Sequence, residues 1–191
     1  MIITSRYNDP IADQQLIDAY FRWTLLAIAE VAGEHGLDSV LKYVGMEKYR
    51  RTYASDKLAP VSGLTYRDSA NIHVGVLQVM GRKQPENVFH SGRVSARHAM
   101  RKNGTIFHPS SHLVGGHLDP VDELRASLET ILAGYKGVAE SAGQDYDAWL
   151  EETDNYFTYN LVSCAVCAGK SSTEPICLFF SGSLMESLKW Y

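Results

Sequence analysis

Apolar residues recur at three- and four-residue steps over most of the chain and change rhythm near its end, so helices come first and a strand pair late. Leu16, Ile17, Tyr20, Phe21, Leu25, Ile28, Ala29 and Ala32 form the first stripe. It predicts a long amphipathic helix opened by Asp9-Pro10, the aspartate as cap and the proline in the first turn, and ended near Gly33 or Gly36. A short helix follows from Asp38 or Ser39 to a stop at Gly45, and residues 57–63, with Pro60, form a connection. Thr65 caps a third helix that carries Tyr66, Ile72, His73, Val76, Leu77 and Met80 toward Gly81. Pro85 opens a fourth, bearing Val88, Phe89, Gly92, Ala96, Ala99 and Met100. After a His-, Gly- and Ser-rich loop over residues 107–118, Asp119-Pro120 repeats the cap-and-proline start. The helix it launches has the cleanest stripe: Val121, Leu124, Leu128, Ile131, Leu132, Tyr135 and Val138.

Beyond Gly143, residues 149–152 and 156–162 flank Asp154-Asn155 and predict an antiparallel hairpin, and Pro175 opens a terminal helix. The expectation is an α+β fold, N-terminal helices packed on a small antiparallel sheet with a C-terminal helix. No internal repeat or linker interrupts the 191 residues, so residues 1–191 read as a single domain.

Composition is that of an ordinary globular chain, 45% hydrophobic and 21% charged, with a net charge of −4. That balance gives no long-range attraction toward phosphate backbones or anionic lipid, which argues against a direct nucleic-acid or membrane partner. The first residues lack a basic start followed by an apolar core, and charges interrupt every apolar run before membrane-spanning length. The expected location is therefore cytoplasmic. An odd number of cysteines, two at Cys-x-x-Cys spacing, fits a reducing compartment better than a disulfide framework.

All three cysteines, Cys164, Cys167 and Cys177, fall near the end of the chain. Three thiolates with the first two on a tight turn are soft ligands for zinc or an iron–sulfur cluster. The competing readings are small buried thiols and a redox pair, the latter opposed by helices that precede the hairpin instead of alternating with strands. His108, His112 and His117 are candidates for a fourth ligand. Pro109 and Gly115-Gly116 make their segment a loop, which also suits a lid over a pocket. Arg93 is either a clamp for an anionic group or a solvated helix residue. There is no Gly-x-Ser-x-Gly elbow, phosphate-binding glycine loop, His-Glu-x-x-His or dinucleotide fingerprint, so the chain reads more as a binding protein than as an enzyme.

Cys164-x-x-Cys167, Pro175-Ile-Cys177 and the run Gly182-x-Leu184-x-Glu186-x-Leu188-x-Trp190 together resemble the 4-vinyl reductase domain family. Upstream, Ile28 to Leu41 looks like the family's opening helix, glycine break and second helix. Ser91-Gly92-Arg93 with Ala96 and Ala99 looks like its central Gly-Arg helix. The resemblance covers roughly the whole chain. It implies a small-molecule-binding module, as in sensor domains for aromatic hydrocarbons, with a fold shared with TRAPP-type transport subunits. One branch is associated with bacteriochlorophyll synthesis.

From the resemblance we expect an apolar cavity on the order of several hundred Å³. Its candidate ligand-binding residues are Phe89, His90, Phe107, Trp149, Tyr159 and Phe179, with Trp149 foremost. The expected function is a noncatalytic, sensor-type domain for a small apolar or aromatic molecule, acting as a homodimer, with a metal at the cysteines. The alternatives are an accessory or reductase-like role on a tetrapyrrole, and a structural assembly subunit. Family members continue into two further strands with more cysteines, whereas this chain stops at Tyr191. A short protein and a piece of a longer one both fit, and the fourth metal ligand stays open between the three histidines and those later cysteines.

Overall fold

The computed structural model describes residues 3–5, 9–81, 84–107, 119–162, 164–173 and 175–190, and of residues 105–107 and 190 the backbone alone. The chain order is β1 (Ile3–Ser5), α1 (Asp18–Tyr43), α2 (Tyr66–Val76), α3 (Pro85–Phe107), α4 (Pro120–Ser141), β2 (Ala148–Glu152), β3 (Phe157–Leu161), β4 (Lys170–Ser172) and α5 (Leu178–Ser187). This is the α+β class expected from the pattern. β2 and β3 form the predicted hairpin, with Leu150 opposite Tyr159. A second two-stranded sheet pairs β1 with β4, Ile3 opposite Ser172. Its strands are three residues each, too short for an alternation to stand out in the sequence.

The local start signals hold at two helices. Thr65 and Asp68 form a reciprocal capping box on α2, and Asp119 accepts a hydrogen bond from the Val121 N–H at 2.9 Å to start α4, with Pro120 in its first turn. Gly33, at φ 71° and ψ 172°, breaks α1 where the sequence places its glycine stop. The break does not end the element, because helical geometry resumes and runs to Tyr43.

The predicted start at Asp9-Pro10 is corrected. Asp9 does accept from the Ile11 N–H, at 3.1 Å, yet residues 10–13 make only a turn. Residues 14–16 are then drawn into extended pairing with residues 64–66, through the Tyr66 N–H to Gln14 (3.0 Å) and the Leu16 N–H to Leu64 (2.7 Å). Helix α1 therefore opens later, at Asp18. The fully buried Asp18 carboxylate accepts from the N–H groups of Val61 and Ser62, so it pins the connection predicted over residues 57–63. The terminal helix is likewise corrected: it opens at Leu178, with Cys177 at its cap, a few residues after Pro175.

The main core joins Leu16, Phe21, Leu25, Ile28, Leu37, Val40 and Leu41 from the first part of the chain to Ile72, Val76, Val88 and Phe179. Helices α3 and α5 cross at Gly92 and Gly182. A Cβ on Gly92 would lie 1.9 Å from the Phe179 carbonyl oxygen, and one on Gly182 would lie 2.0 Å from that of Phe89. No other residue fits at either position, since backbone atoms already occupy the space. Ser183 Oγ donates to the Gly92 carbonyl at 2.9 Å beside the crossing. Arg93 and Arg97 of α3 converge on Glu186 of α5, at 2.7 and 3.1 Å.

Candidate binding cavity and cysteine cluster

The seam between α3 and α5 opens, one turn further along α3, into a cavity of about 100 Å³ bounded by α1, α2, α4, Leu161, Ala165 and Val166 as well. Aromatic rings make most of its wall. Tyr20 meets Trp23 at 5.6 Å and Tyr135 at 6.0 Å between centroids, and Tyr135 stacks on Tyr146 at 5.7 Å. Tyr66, Phe179 and Phe180 complete the aromatic lining, with Ala96 and Ala99 at the floor. Burial pushes the Tyr20, Tyr66 and Tyr146 phenols above their ordinary range, so they remain protonated.

His73 is the odd group in this wall. It is 4% exposed, its ring lies 4.5 Å from that of Phe179, edge-on, and its Nδ1 has no hydrogen-bond partner among the described residues. Burial lowers its pKa to about 4 against an opposing pull from Cys177, so the imidazole is neutral at neutral pH. Among the described residues, no Asp, Glu, Lys or Arg lines the cavity.

The cysteine cluster adjoins this wall. Residues 164–168 form a tight turn in which the N–H groups of Cys167 and Ala168 both reach the Cys164 carbonyl, at 3.3 and 2.9 Å. The turn is tied down from outside by the Gly169 N–H to Asp9 Oδ2, at 2.8 Å, and by Lys170 Nζ to Asn71 Oδ1 of α2, at 2.6 Å. Cys177 sits at the N-terminal cap of α5, where its carbonyl accepts from the Ser181 N–H at 2.9 Å. The three sulfurs lie within 4.8 Å of one another, an arrangement that can hold a metal ion. Hydrogen bonds from Cys164 and Cys167 hold the Cys177 thiol well below its ordinary range, and hydrogen bonding plus burial pushes Cys167 up. The three thiols share these hydrogen bonds, so loss of a first proton belongs to the group. Ala165 and Val166, inside the turn, face the cavity, so the cluster and the cavity share a wall.

Of the ligand-binding residues singled out from sequence, Phe179 lies in this wall. Tyr159 stands one layer behind, its hydroxyl 3.2 Å from that of Tyr146 and its ring 5.8 Å from Phe180. Phe89, half-buried on α3, and the exposed His90 lie outside the lining. Trp149 is 42% exposed and donates from Nε1 to Glu151 at 2.9 Å. Two-residue alternation accounts for this: Trp149 and Glu151 share the outer face of β2, opposite Ala148 and Leu150. The side chain of Phe107 and the residues His108, His112 and His117 lie outside the described residues.

The residues that sequence reasoning passed over as site candidates are Tyr20, Trp23, Tyr66, His73, Tyr135 and Tyr146. A signal existed for four of them, because Tyr20, Tyr66, His73 and Tyr135 are polar-tipped rings inside otherwise aliphatic helical stripes. The cavity is also smaller than the several hundred Å³ expected. Arg93 makes an ion pair with Glu186 and takes no part in the lining.

No helix among the described residues is long and apolar enough to cross a membrane. No protein-family model, curated protein or solved structure matches the chain.

Proposed function

We propose that this chain is a sensor-type domain that binds one small, ring-sized apolar or aromatic molecule, with zinc held at Cys164, Cys167 and Cys177. The observation that carries the reading is the cavity itself: about 100 Å³ walled by aromatic rings, with no charged side chain among the described lining residues. A cavity of about 150 Å³ lined by apolar residues takes up benzene, so this one is scaled to a single ring. A tetrapyrrole is several times too large for it, which weighs against the reductase-like alternative. The resemblance to the 4-vinyl reductase domain family points the same way.

The donor set fits zinc by its chemistry, since clustered thiolates are the preferred structural ligands of that ion. Zinc bound there would supply the cross-link between the 164–168 turn and the start of α5. An iron–sulfur cluster would instead colour the protein, so a visible spectrum and metal analysis separate the two. Zinc is expected to copurify and to be lost from Cys167→Ser.

For the ligand, thermal melting with a panel of one-ring aromatics is the test. A rise in melting temperature with at least one of them, removed in Ala99→Leu, which fills the cavity floor, is the expected outcome. No shift with any one-ring compound up to its solubility limit would overturn the reading.

A further inference from the structure

The cavity wall is polar in one corner. Ser69 and His73 stand four residues apart on α2 and so project from one face of that helix, and Ser95 joins the lining from α3. All three are buried, at 4%, 4% and 7% exposure. A buried imidazole in the lining is disfavoured unless its polar edge finds a partner, because the group has given up its water. Sequestered hydroxyls add donors and acceptors at the same edge. The other serine and threonine hydroxyls in the lining are already engaged: Thr24 Oγ1 donates to the Tyr20 carbonyl at 3.0 Å and Ser183 Oγ to that of Gly92. Ordinary packing would place apolar side chains at Ser69, His73 and Ser95, as it does at Ala96 and Ala99 next to them.

We propose that this corner recognises the polar edge of the bound ring, so that the ligand is an uncharged, single-ring aromatic or heteroaromatic compound carrying hydrogen-bonding groups on one side. This deepens the binding reading above and rests on it. The aromatic wall takes the flat faces of the ring, and Ser69, His73 and Ser95 take its edge. With no Arg or Lys among the described lining residues, a carboxylate would enter without a counter-charge, which disfavours acids. The volume of about 100 Å³ favours one ring over fused rings.

Four probes test this on the full chain by calorimetric titration: benzene, 2-hydroxypyridine, benzoate and 2-naphthol. 2-Hydroxypyridine, with donor and acceptor side by side, is expected to bind at least tenfold more tightly than benzene, and benzoate and 2-naphthol are expected not to bind. In Ser69→Ala and His73→Phe the ratio of 2-hydroxypyridine to benzene affinity should fall toward parity. Ser69→Ala, a loss of one oxygen, guards against a misfolded His73 variant. Benzene binding as tightly as 2-hydroxypyridine, or a preference untouched by both substitutions, overturns the polar-edge proposal and leaves the binding reading standing. Tight binding of benzoate overturns it as well. Failure of all four probes defeats the binding reading and this inference with it.

Discussion

Helix α3 contributes to two neighbouring regions packed in opposite ways. At Gly92 it meets α5 so closely that a single methyl group would strike a carbonyl oxygen at 1.9 Å, whereas at Ala96 and Ala99, one and two turns on, it borders a void of about 100 Å³. Interiors are close-packed throughout, and a void of this size costs dispersion and burial free energy. What lets it persist is the crossing beside it. Gly92 and Gly182 bring two backbones together, and Glu186 fastens them with Arg93 and Arg97, so the walls cannot slide inward to fill the gap. A rigid seam and an unfilled space are thus parts of one arrangement.

Breaking the seam is the largest expected effect. Gly182→Val places branched carbons against the Phe89 carbonyl and should cost more than about 4 kcal/mol, beyond the 1–3 of ordinary overpacking because backbone is the obstacle. Denaturant unfolding should show it as a fall in midpoint or a failure to fold; a variant within about 1 kcal/mol of the parent would mean the helices separate easily.

Acid should act next, through the cavity wall. His73 has a folded-state pKa of about 4 against an ordinary value of 6.5, so the unfolded chain takes up its proton first. Its neutral, buried form is no handicap above pH 6.5, and stability is lost as pH falls from 6.5 toward 4, by about 3 kcal/mol in all. Melts across that range should slope in the parent and flatten in His73→Gln. An equal slope in both would assign the acid sensitivity elsewhere.

Glu186→Ala comes third. Glu186 is 8% exposed and leaves two half-buried guanidinium groups facing each other when removed. The expected loss is about 2 kcal/mol, below that of a fully buried pair because both arginines keep contact with water. Glu186→Gln should recover only part of it.

The smallest effects sharpen the contrast. Ala99→Leu extends into the cavity and should change stability by no more than about 1 kcal/mol while removing ligand binding. Trp149→Ala, on the outer face of the hairpin, should change stability by about 0.5 kcal/mol or less and leave the thermal shift intact. Loss of that shift in Trp149→Ala would place ligand recognition on the hairpin and away from the cavity.

The sequence by itself determined the class of the fold and the starts of α2 and α4. Thr65, Asp119 and Gly33 act within one turn of where they stand, and side-chain caps and a left-handed glycine need nothing distant. It also placed three thiols on a turn and a helix cap that could come together. Asp9-Pro10 marks the limit of such local signals. It forms the same first hydrogen bond as Asp119-Pro120, and the two segments part only because residues 14–16 pair with residues 64–66 while the second oxygen of Asp9 is taken by Gly169. The cavity was beyond reach for the same reason. Tyr20, Tyr66, His73 and Tyr135 read as core positions in four separate stripes, and whether such residues fill a core or surround a space depends on how closely the helices approach. That distance was set by Gly92 against Gly182, a contact between backbones 90 residues apart, which no stretch of sequence contains.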